Sequence, residues 1–575
     1  MKDHRATGPA SYRNIHDSRG TNAFRADPAF RSLLSIYLPE KIAPVILGQL
    51  DRMGALVGDR LETLALAADQ NPPSLSIRDR TGAPVERIEK HPAYQQMEQI
   101  AFGDFGLAAM SHRGGVFDLP DRLHPMAKYA LVFLFVQAEF GLCCPLSMTD
   151  SLTRTLRKFG SNALQDRFLD RLTSQDMDTL FQGAMFMTEQ AAGSDVGAID
   201  TVARLEDGDW RLYGDKWFCS NPDAELAMVL ARPEGGGAGT RGLSLFLLPR
   251  HLPDGRRNAY RILRLKDKLG TRSMASGEIA LEGATAYLVG DPGQGFRQMT
   301  DMINMSRLAN GVRSAGMMRR SVAEALFIAR HRTAFGSSLI EMPLMRRQLA
   351  KMLLAAEEGR SMVFHTARVL AAADAGDAAM APVLRILTPL IKFRTCRDAR
   401  KVAGDAMEVR GGCGYIEEWS DARILRDAHL GSIWEGTSNI VALDVARAAR
   451  REGALSALAA YLRDLLDDVP PDLAEPLADA LQRSSALMAQ ASDGGGATEE
   501  TRRAASALYH VTAAVFMAWE AAQLSAQEAQ VATDRVSLAR LVLDHKLSPR
   551  DPLTPAGTEP DWLPGLLQRA GLDAA

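Results

Sequence analysis

The 575-residue sequence contains no run of about 18 or more apolar residues, so no transmembrane helix is expected. Its start, MKDHRATGPASYRN, is polar and lacks the apolar stretch of a secretory leader. Cysteine is scarce. Cys143, Cys144, Cys219, Cys396 and Cys413 form an odd set of five with no CxxC pair. A disulfide framework and a zinc knuckle are thereby excluded, and a reducing compartment, the cytoplasm, is expected. There is no excess of positive charge: the net value of −3 gives no global field for nucleic acid. No GxGxxG turn opens a helix after a strand, so a doubly wound dinucleotide fold is not expected.

What is present suits a soluble enzyme of several domains. Hydrophobic residues make up 46% and charged residues 24%, and 575 residues exceed a single core. Residues 1–30 are polar and suggest an extended arm. From 31 to 70 apolar residues recur at helical spacing, and Asn71-Pro72-Pro73 ends that pattern. Residues 79–94 suggest a turn with short extended pieces, and 94–180 helix again, with 130–140 buried. The adjacent Cys143 and Cys144 lack basic flanks and suit a core.

Between 181 and 290 helical periodicity gives way to short β-rich pieces separated by turns such as 206–209 and 233–237. Turn-linked strands predict an antiparallel β-domain. Long amphipathic helices follow from 291 to 450, a bundle. Residues 451–575 are Ala-rich helix, broken at 469–472 and by a Gly-rich link at 492–500.

Five motifs carry chemistry. Ile433-Trp434-Glu435-Gly436-Thr437-Ser438-Asn439-Ile440 sets one carboxylate between an aromatic and a glycine, before a helix that Thr437 to Asn439 are suited to cap. A general base in a dry site needs such a setting, although a surface glutamate at a loop–helix junction has the same local pattern. Met187-Thr188-Glu189-Gln190-Ala191-Ala192-Gly193-Ser194 could offer hydroxyls and backbone N–H groups to a cofactor. Lys216-Trp217-Phe218-Cys219-Ser220-Asn221 could wall a planar ring or fill a β-core. Arg332-Thr333-Ala334-Phe335-Gly336 offers a guanidinium fork, or ends a helix. Arg410-Gly411-Gly412-Cys413-Gly414-Tyr415 allows close backbone approach.

In this order and approximate spacing, the five motifs resemble those of the acyl-CoA dehydrogenases, and most closely the AidB-type, alkylation-response branch. The likeness covers about 60–450 and includes EVRGGCGYIEE and SIWEGTSNIVALDVAR. It implies an α+β fold: an N-terminal arm and helical domain (1–180), a central antiparallel β-domain (181–290), a C-terminal four-helix bundle (291–450) and an extra acidic helical appendix (451–575). It implies FAD, and with it an oxidoreductase. Met185, Phe186, Met187, Thr188, Gly193 and Ser194 would line the cofactor, with Thr188 on the isoalloxazine and Ser194 on the pyrophosphate. Phe218, Cys219 and Ser220 would lie against the ring with Trp434 as a wall, and Thr437 and Asn439 would also bind the cofactor. Arg332, Phe335, Gly411 and Gly412 would serve the nucleotide end of a neighbouring subunit's FAD, which requires a homotetramer. Glu435 would remove the α-proton of an acyl thioester while the β-hydride passes to flavin N5. Some relatives carry their base just before the arginine matched by Arg307; here that position is Ser306, which cannot act as a base. Ala191-Ala192, Glu408 and Pro343 depart from the usual pattern, so some adenine contacts are expected to be rearranged.

The electrons would leave to an electron-transfer flavoprotein or to oxygen. Two other readings stand beside this one. The first is an AidB-like, DNA-associated protective flavoprotein with vestigial dehydrogenase activity. The second is oxidation of another acidic C–H compound, such as a nitroalkane, by the same base. Residues 451–575 hold 10 Lys+Arg against 18 Asp+Glu, which opposes phosphate binding there. Lys392, Arg394, Arg397, Arg400 and Lys401 form a basic run in the bundle and suggest a solvated or subunit-facing stripe. Weak or no DNA affinity is therefore expected.

Overall fold

A computed structural model describes residues 16–493, 499–549, 551, 553 and 559–571. Residues 1–15, and 494–498 of the expected Gly-rich link, lie outside the described residues. The described part of the expected arm is anchored instead. Ser18 donates to Glu324 at 2.7 Å, and helix Pro28–Tyr37 begins within the arm's bounds. Asp27 caps that helix by accepting the Phe30 N–H at 3.0 Å. Its carboxylate also meets Arg319 at 2.6 Å and Arg360 at 2.8 Å. Burial alone would raise the Asp27 pKa, but the two guanidiniums hold it at about 2.

The helical pattern over 31–70 resolves into Pro28–Tyr37, Ala43–Gly58 and Arg60–Gln70. Within 79–94 one extended piece forms, strand Pro84–Glu89, and it pairs antiparallel with Ser74–Arg78, a strand just before those bounds. Across 94–180 helix is interrupted: most of 105–124 is loop, where Gly114, Gly115 and Pro120 break the pattern. Cys143 and Cys144 are buried at the start of helix Cys143–Phe159, and burial pushes the Cys144 thiol up to about 11.

The β-domain is a mixed sheet, which corrects the antiparallel expectation. Strand Leu226–Pro233 pairs antiparallel with Ser244–Pro249, but parallel with Gly183–Phe186 and, at its far end, with Val202–Glu206. Both parallel partners lie far from it in sequence, so no tight turn dictates their direction. The remaining ladder runs from Val202–Glu206 through Asp209–Ser220 and Ser276–Val289 to Ser244–Pro249, so the sheet closes on itself. Side chains alternate about this closed sheet. Ala184, Phe186, Leu212, Cys219, Val229 and Phe246 fill its interior. Leu226, Met228, Leu230 and Leu247 face outward onto helical residues such as Leu152, Leu156 and Met299.

The bundle consists of the long helices Gly295–His331, Pro343–Asp374 and Met380–Arg410, followed by Ser420–Gly431 and Ser438–Arg451. Pro343 sits at the first helical turn, where its missing N–H costs nothing. The appendix adds Ala454–Leu466, Pro471–Asp493, Thr501–Gln523 and Ala529–Val542. One hydrophobic core runs through the N-terminal helices, the bundle and the appendix. Among the described residues no helix is long and apolar enough to cross a membrane.

One buried acid fastens the β-domain to the bundle. Asp427 accepts the Thr271 N–H at 2.6 Å, and Thr271 is held at φ 50. Burial raises the Asp427 pKa to about 7 against the pull of Arg423. The folded state therefore holds a proton there that the unfolded chain releases near its ordinary value of 3.8, and stability from this group falls as pH rises through that window. Asp427→Asn keeps the acceptor oxygen without the charge. Its melting temperature, relative to the parent protein, is expected to climb between pH 4 and pH 8, which a pH series of thermal scans measures. A flat difference would remove Asp427 from this role.

Candidate active site

The segment 433–440 joins helix Ser420–Gly431 to helix Ser438–Arg451. Glu435 at φ 55 and Gly436 at φ 107 turn the chain sharply. A non-glycine residue rarely occupies the left-handed region, and such strain gathers at functional sites. A Cβ on Gly436 would crowd Val441 at 3.1 Å, and its backbone conformation is one that L side chains rarely adopt.

Two cations pin this turn. Lys392 donates to the carbonyls of Gly431 at 2.5 Å and Gly436 at 3.3 Å. Arg307 donates from Nε to the Glu435 carbonyl at 3.3 Å and from Nη1 to Asp444 at 2.6 Å. Lys392 is thus corrected from the solvated basic stripe: it is buried, and burial pushes its ammonium pKa down.

The Glu435 carboxylate is held at both oxygens. Ser306 Oγ donates to Oε1, and Asn310 Nδ2 donates to Oε2 at 2.9 Å. A carboxylate offers about four acceptor sites, so about two stay open to a proton. Ser306, which cannot be a base, is a donor to the base instead. Ser306, Asn310 and Arg313 stand at i, i+4 and i+7 on helix Gly295–His331 and share one face.

Glu435 and Gly436 line a cavity of about 1390 Å³, larger than most single-ligand pockets. Met187, Gly193 and Ser194 line the same cavity, so the first motif and the carboxylate meet there. Arg307, Arg385, Arg447 and Arg450 add cations to its lining.

The first and second motifs are joined by backbone and charge. The Trp217 N–H donates to the Thr188 carbonyl at 2.7 Å. Glu189 is buried and accepts from Lys216 at 2.6 Å, from the Asp200 N–H at 2.6 Å and from the Thr201 hydroxyl. Burial would raise the Glu189 pKa, but Lys216 and these donors hold it below the usual range. Met185 and Met187 are half-buried on one side of their strand, while Phe186 lies in the sheet interior. The Phe186 side chain is therefore part of the core and does not line the cavity. Cys219 is likewise interior, and burial pushes its thiol up. Phe218, at φ 54, is 61% exposed beside the Trp217 ring, and Ser220 lies 3.5 Å from Ser276 Oγ.

Trp434 stacks on Phe140 with ring centroids 5.7 Å apart. Thr437 is the exposed N-cap of helix Ser438–Arg451 and makes no side-chain cap bond. Asn439 Oδ1 accepts from Arg502 of the appendix at 3.2 Å.

The remaining motifs gather elsewhere. Arg332 donates to the Arg410 carbonyl at 2.9 Å, beside Gly411 at φ 74. Phe335 is fully exposed at φ 50, and Gly412 has open space where a side chain would stand. Arg332 is 26 residues beyond Ser306 on one helix, about 39 Å along its axis. These residues therefore stand far from Glu435 of the same chain.

The comparisons with known proteins agree with this fold. Residues 14–179 match the adaptive response protein AidB N-terminal domain. Residues 184–284 match the acyl-CoA dehydrogenase middle domain, and 293–450 the acyl-CoA dehydrogenase C-terminal domain. Acyl-CoA dehydrogenase family member 11 of Caenorhabditis elegans is 33% identical over 490 residues, covering 82% of this chain and 79% of that protein. The putative acyl-CoA dehydrogenase AidB of Escherichia coli (strain K12) is 38% identical over 416 residues, covering 69% and 74%. The crystal structure of Caenorhabditis elegans ACDH-11 in complex with C11-CoA superposes with a TM-score of 0.86 over 95% of both chains, at 29% identity. The chain belongs to the acyl-CoA dehydrogenase superfamily, in its AidB-type branch.

Proposed function

We propose that this protein is an FAD-dependent dehydrogenase of acyl thioesters, with Glu435 as the base. The observation that carries the reading is the Glu435 carboxylate, fixed by Ser306 and Asn310 on the wall of a cavity that Met187, Gly193 and Ser194 also line. A relative of the same fold binds C11-CoA, which supports a thioester ligand.

The residues present suit FAD. The exposed Phe218 and half-buried Met185 offer apolar surface to a flat ring, while Thr188, Ser220 and Ser194 supply hydroxyls around it. When bound, FAD supplies the acceptor for the substrate's β-hydride. The chain's own part is proton removal. Glu435 takes the α-proton on an open lone pair while Ser306 and Asn310 keep the carboxylate oriented. Arg307 and Lys392 hold the strained turn in place.

The nucleotide end of FAD falls to Arg332, Phe335, Gly411 and Gly412 of a neighbouring subunit. The distance along helix Gly295–His331 supports this, as do Phe335, Leu344, Tyr415 and Ile416, apolar and exposed near that end of the bundle. A homotetramer in the cytoplasm, passing electrons to an electron-transfer flavoprotein or to oxygen, completes the reading.

Anaerobic mixing of the purified flavin-loaded protein with a panel of acyl-CoA thioesters tests it. Bleaching of the flavin band by at least one thioester is expected; bleaching by none overturns the reading. Ser306→Ala removes one of the two donors and lets the carboxylate swing. The bleaching rate is expected to fall about 10- to 100-fold, with little change in the thioester concentration that half-saturates it. An unchanged rate would show that Ser306 does not position the base.

The DNA-associated reading needs an exposed cationic surface. Arg394 and Lys401 are paired with Asp398 and Asp405, and Lys392 is buried. Arg397 lies near Arg502, Arg394 and Arg400, and burial and like charge push its pKa down. Weak DNA binding at most is expected, measured by a low-salt gel shift; tight, salt-sensitive binding would favour the other reading.

A further inference from the structure

Three arginines are among the largest fully buried side chains: Arg313, Arg360 and Arg535. Arg360 meets Asp27 and Glu357, and Arg535 meets Glu357 and Glu520. Arg313 has no carboxylate partner among the described residues. Among the described residues its one hydrogen bond runs from Nε to the Ala309 carbonyl of its own helix at 3.1 Å, and Nη1 has no partner. Its guanidinium lies 5.0 Å from the Trp434 ring centroid and 5.6 Å from that of Phe140. Aromatic faces attract a cation but do not satisfy its N–H groups. The neighbouring Lys392 and Arg307 add positive charge, and Glu435 is committed to Ser306 and Asn310.

Two further buried polar atoms beside Arg313 lack partners among the described residues: Trp434 Nε1 and Asn310 Oδ1. Asn310 touches the base, Trp434 precedes it in sequence, and Arg313 is one turn beyond Asn310. Arg313 is seven residues from Ser306, about 10 Å along the helix. A buried cation is expensive unless an anion joins it, so this cluster calls for a ligand group with negative charge.

Resting on the function proposed above, we infer that Arg313 receives a carboxylate at the far end of the substrate's acyl group. The substrate class is then a short dicarboxylic acid monothioester. Its α-carbon lies at Glu435, and its free carboxylate meets Arg313 Nη1, with Trp434 Nε1 as a second donor. A planar fork suits a carboxylate, and a site built for a hydrogen-bonded group rejects the analogue lacking it.

The test pairs thioesters of equal length on the flavin-loaded protein: succinyl with butyryl, glutaryl with valeryl, adipyl with hexanoyl. At least one dicarboxylyl member is expected to bleach the flavin with the higher kcat/KM. Arg313→Met is expected to lower the dicarboxylyl-to-monocarboxylyl ratio at least about 100-fold, and Arg313→Lys to restore part of it. Equal losses in both series would make Arg313 a mere support for Trp434 and overturn the inference. So would a parent protein that prefers the monocarboxylyl member of every pair, or an Arg313→Met protein that fails to hold flavin. Should no thioester bleach the flavin, the proposed function falls. Equilibrium titration of the same pairs, followed by the flavin spectrum, then decides: tighter dicarboxylyl binding lost in Arg313→Met keeps the inference, and its absence ends it.

Discussion

Glu435→Gln is expected to slow thioester-driven bleaching of the flavin by about 10²–10⁴-fold, the range that a positioned general base contributes. The substitution keeps the shape of the side chain and removes its ability to accept a proton. Ser306 still donates to the remaining carbonyl oxygen. The new amide would face the Asn310 Nδ2 donor, but Asn310 Oδ1 has no partner among the described residues, so a half-turn of that amide restores a hydrogen bond. The fold should therefore survive, with the parent's flavin-to-protein ratio. Rapid anaerobic mixing, with absorbance read at the flavin band, makes the measurement. Bleaching at the parent rate in a protein of normal flavin content would take the base role away from Glu435.

Much of the site was legible because its chemistry is written in contiguous stretches. The Glu435-Gly436 turn, the Gly193-Ser194 segment and the Gly411-Gly412 turn each have an ordinary local reading, but the joint order of the motifs lets them declare themselves. The partners of Glu435 do not, because they come from a helix more than a hundred residues away. Helix Gly295–His331 is buried along almost its whole length, so it has no polar face to contrast with an apolar one. Within it, Ser306, Asn310 and Arg313 look like ordinary interruptions. The same reason put Lys392 on a solvated stripe: helix Met380–Arg410 is buried through 386–393, and its lysine points at carbonyls. The parallel pairing of Gly183–Phe186 was also out of reach, because strand direction across a 39-residue separation is set by the whole barrel.

The appendix supplies the second large effect. Thr501–Gln523 is buried over most of its surface and brings Glu520 against Arg535, Ser361 and the Tyr37 hydroxyl. The Arg535 guanidinium also reaches Glu357 of the bundle at 2.5 Å. N-terminal helix, bundle and appendix thus share one buried ionic knot. Arg535→Met leaves the Glu520 carboxylate buried without its cation, and breaking a buried pair in this way costs about 3–5 kcal/mol. Arg313→Met removes a guanidinium that has no carboxylate to abandon. Its expected effect on the ligand-free fold is neutral or stabilising, since an apolar group replaces a buried charge. The same substitution at two equally buried arginines should move thermal stability in different directions. Both scans must be run at equal flavin saturation, because a ligand bound only to the folded state raises the melting temperature by itself. A comparable fall in both variants would mean that Arg313 is structural. A fall confined to Arg535→Met leaves Arg313 as a charge whose partner arrives from outside the chain.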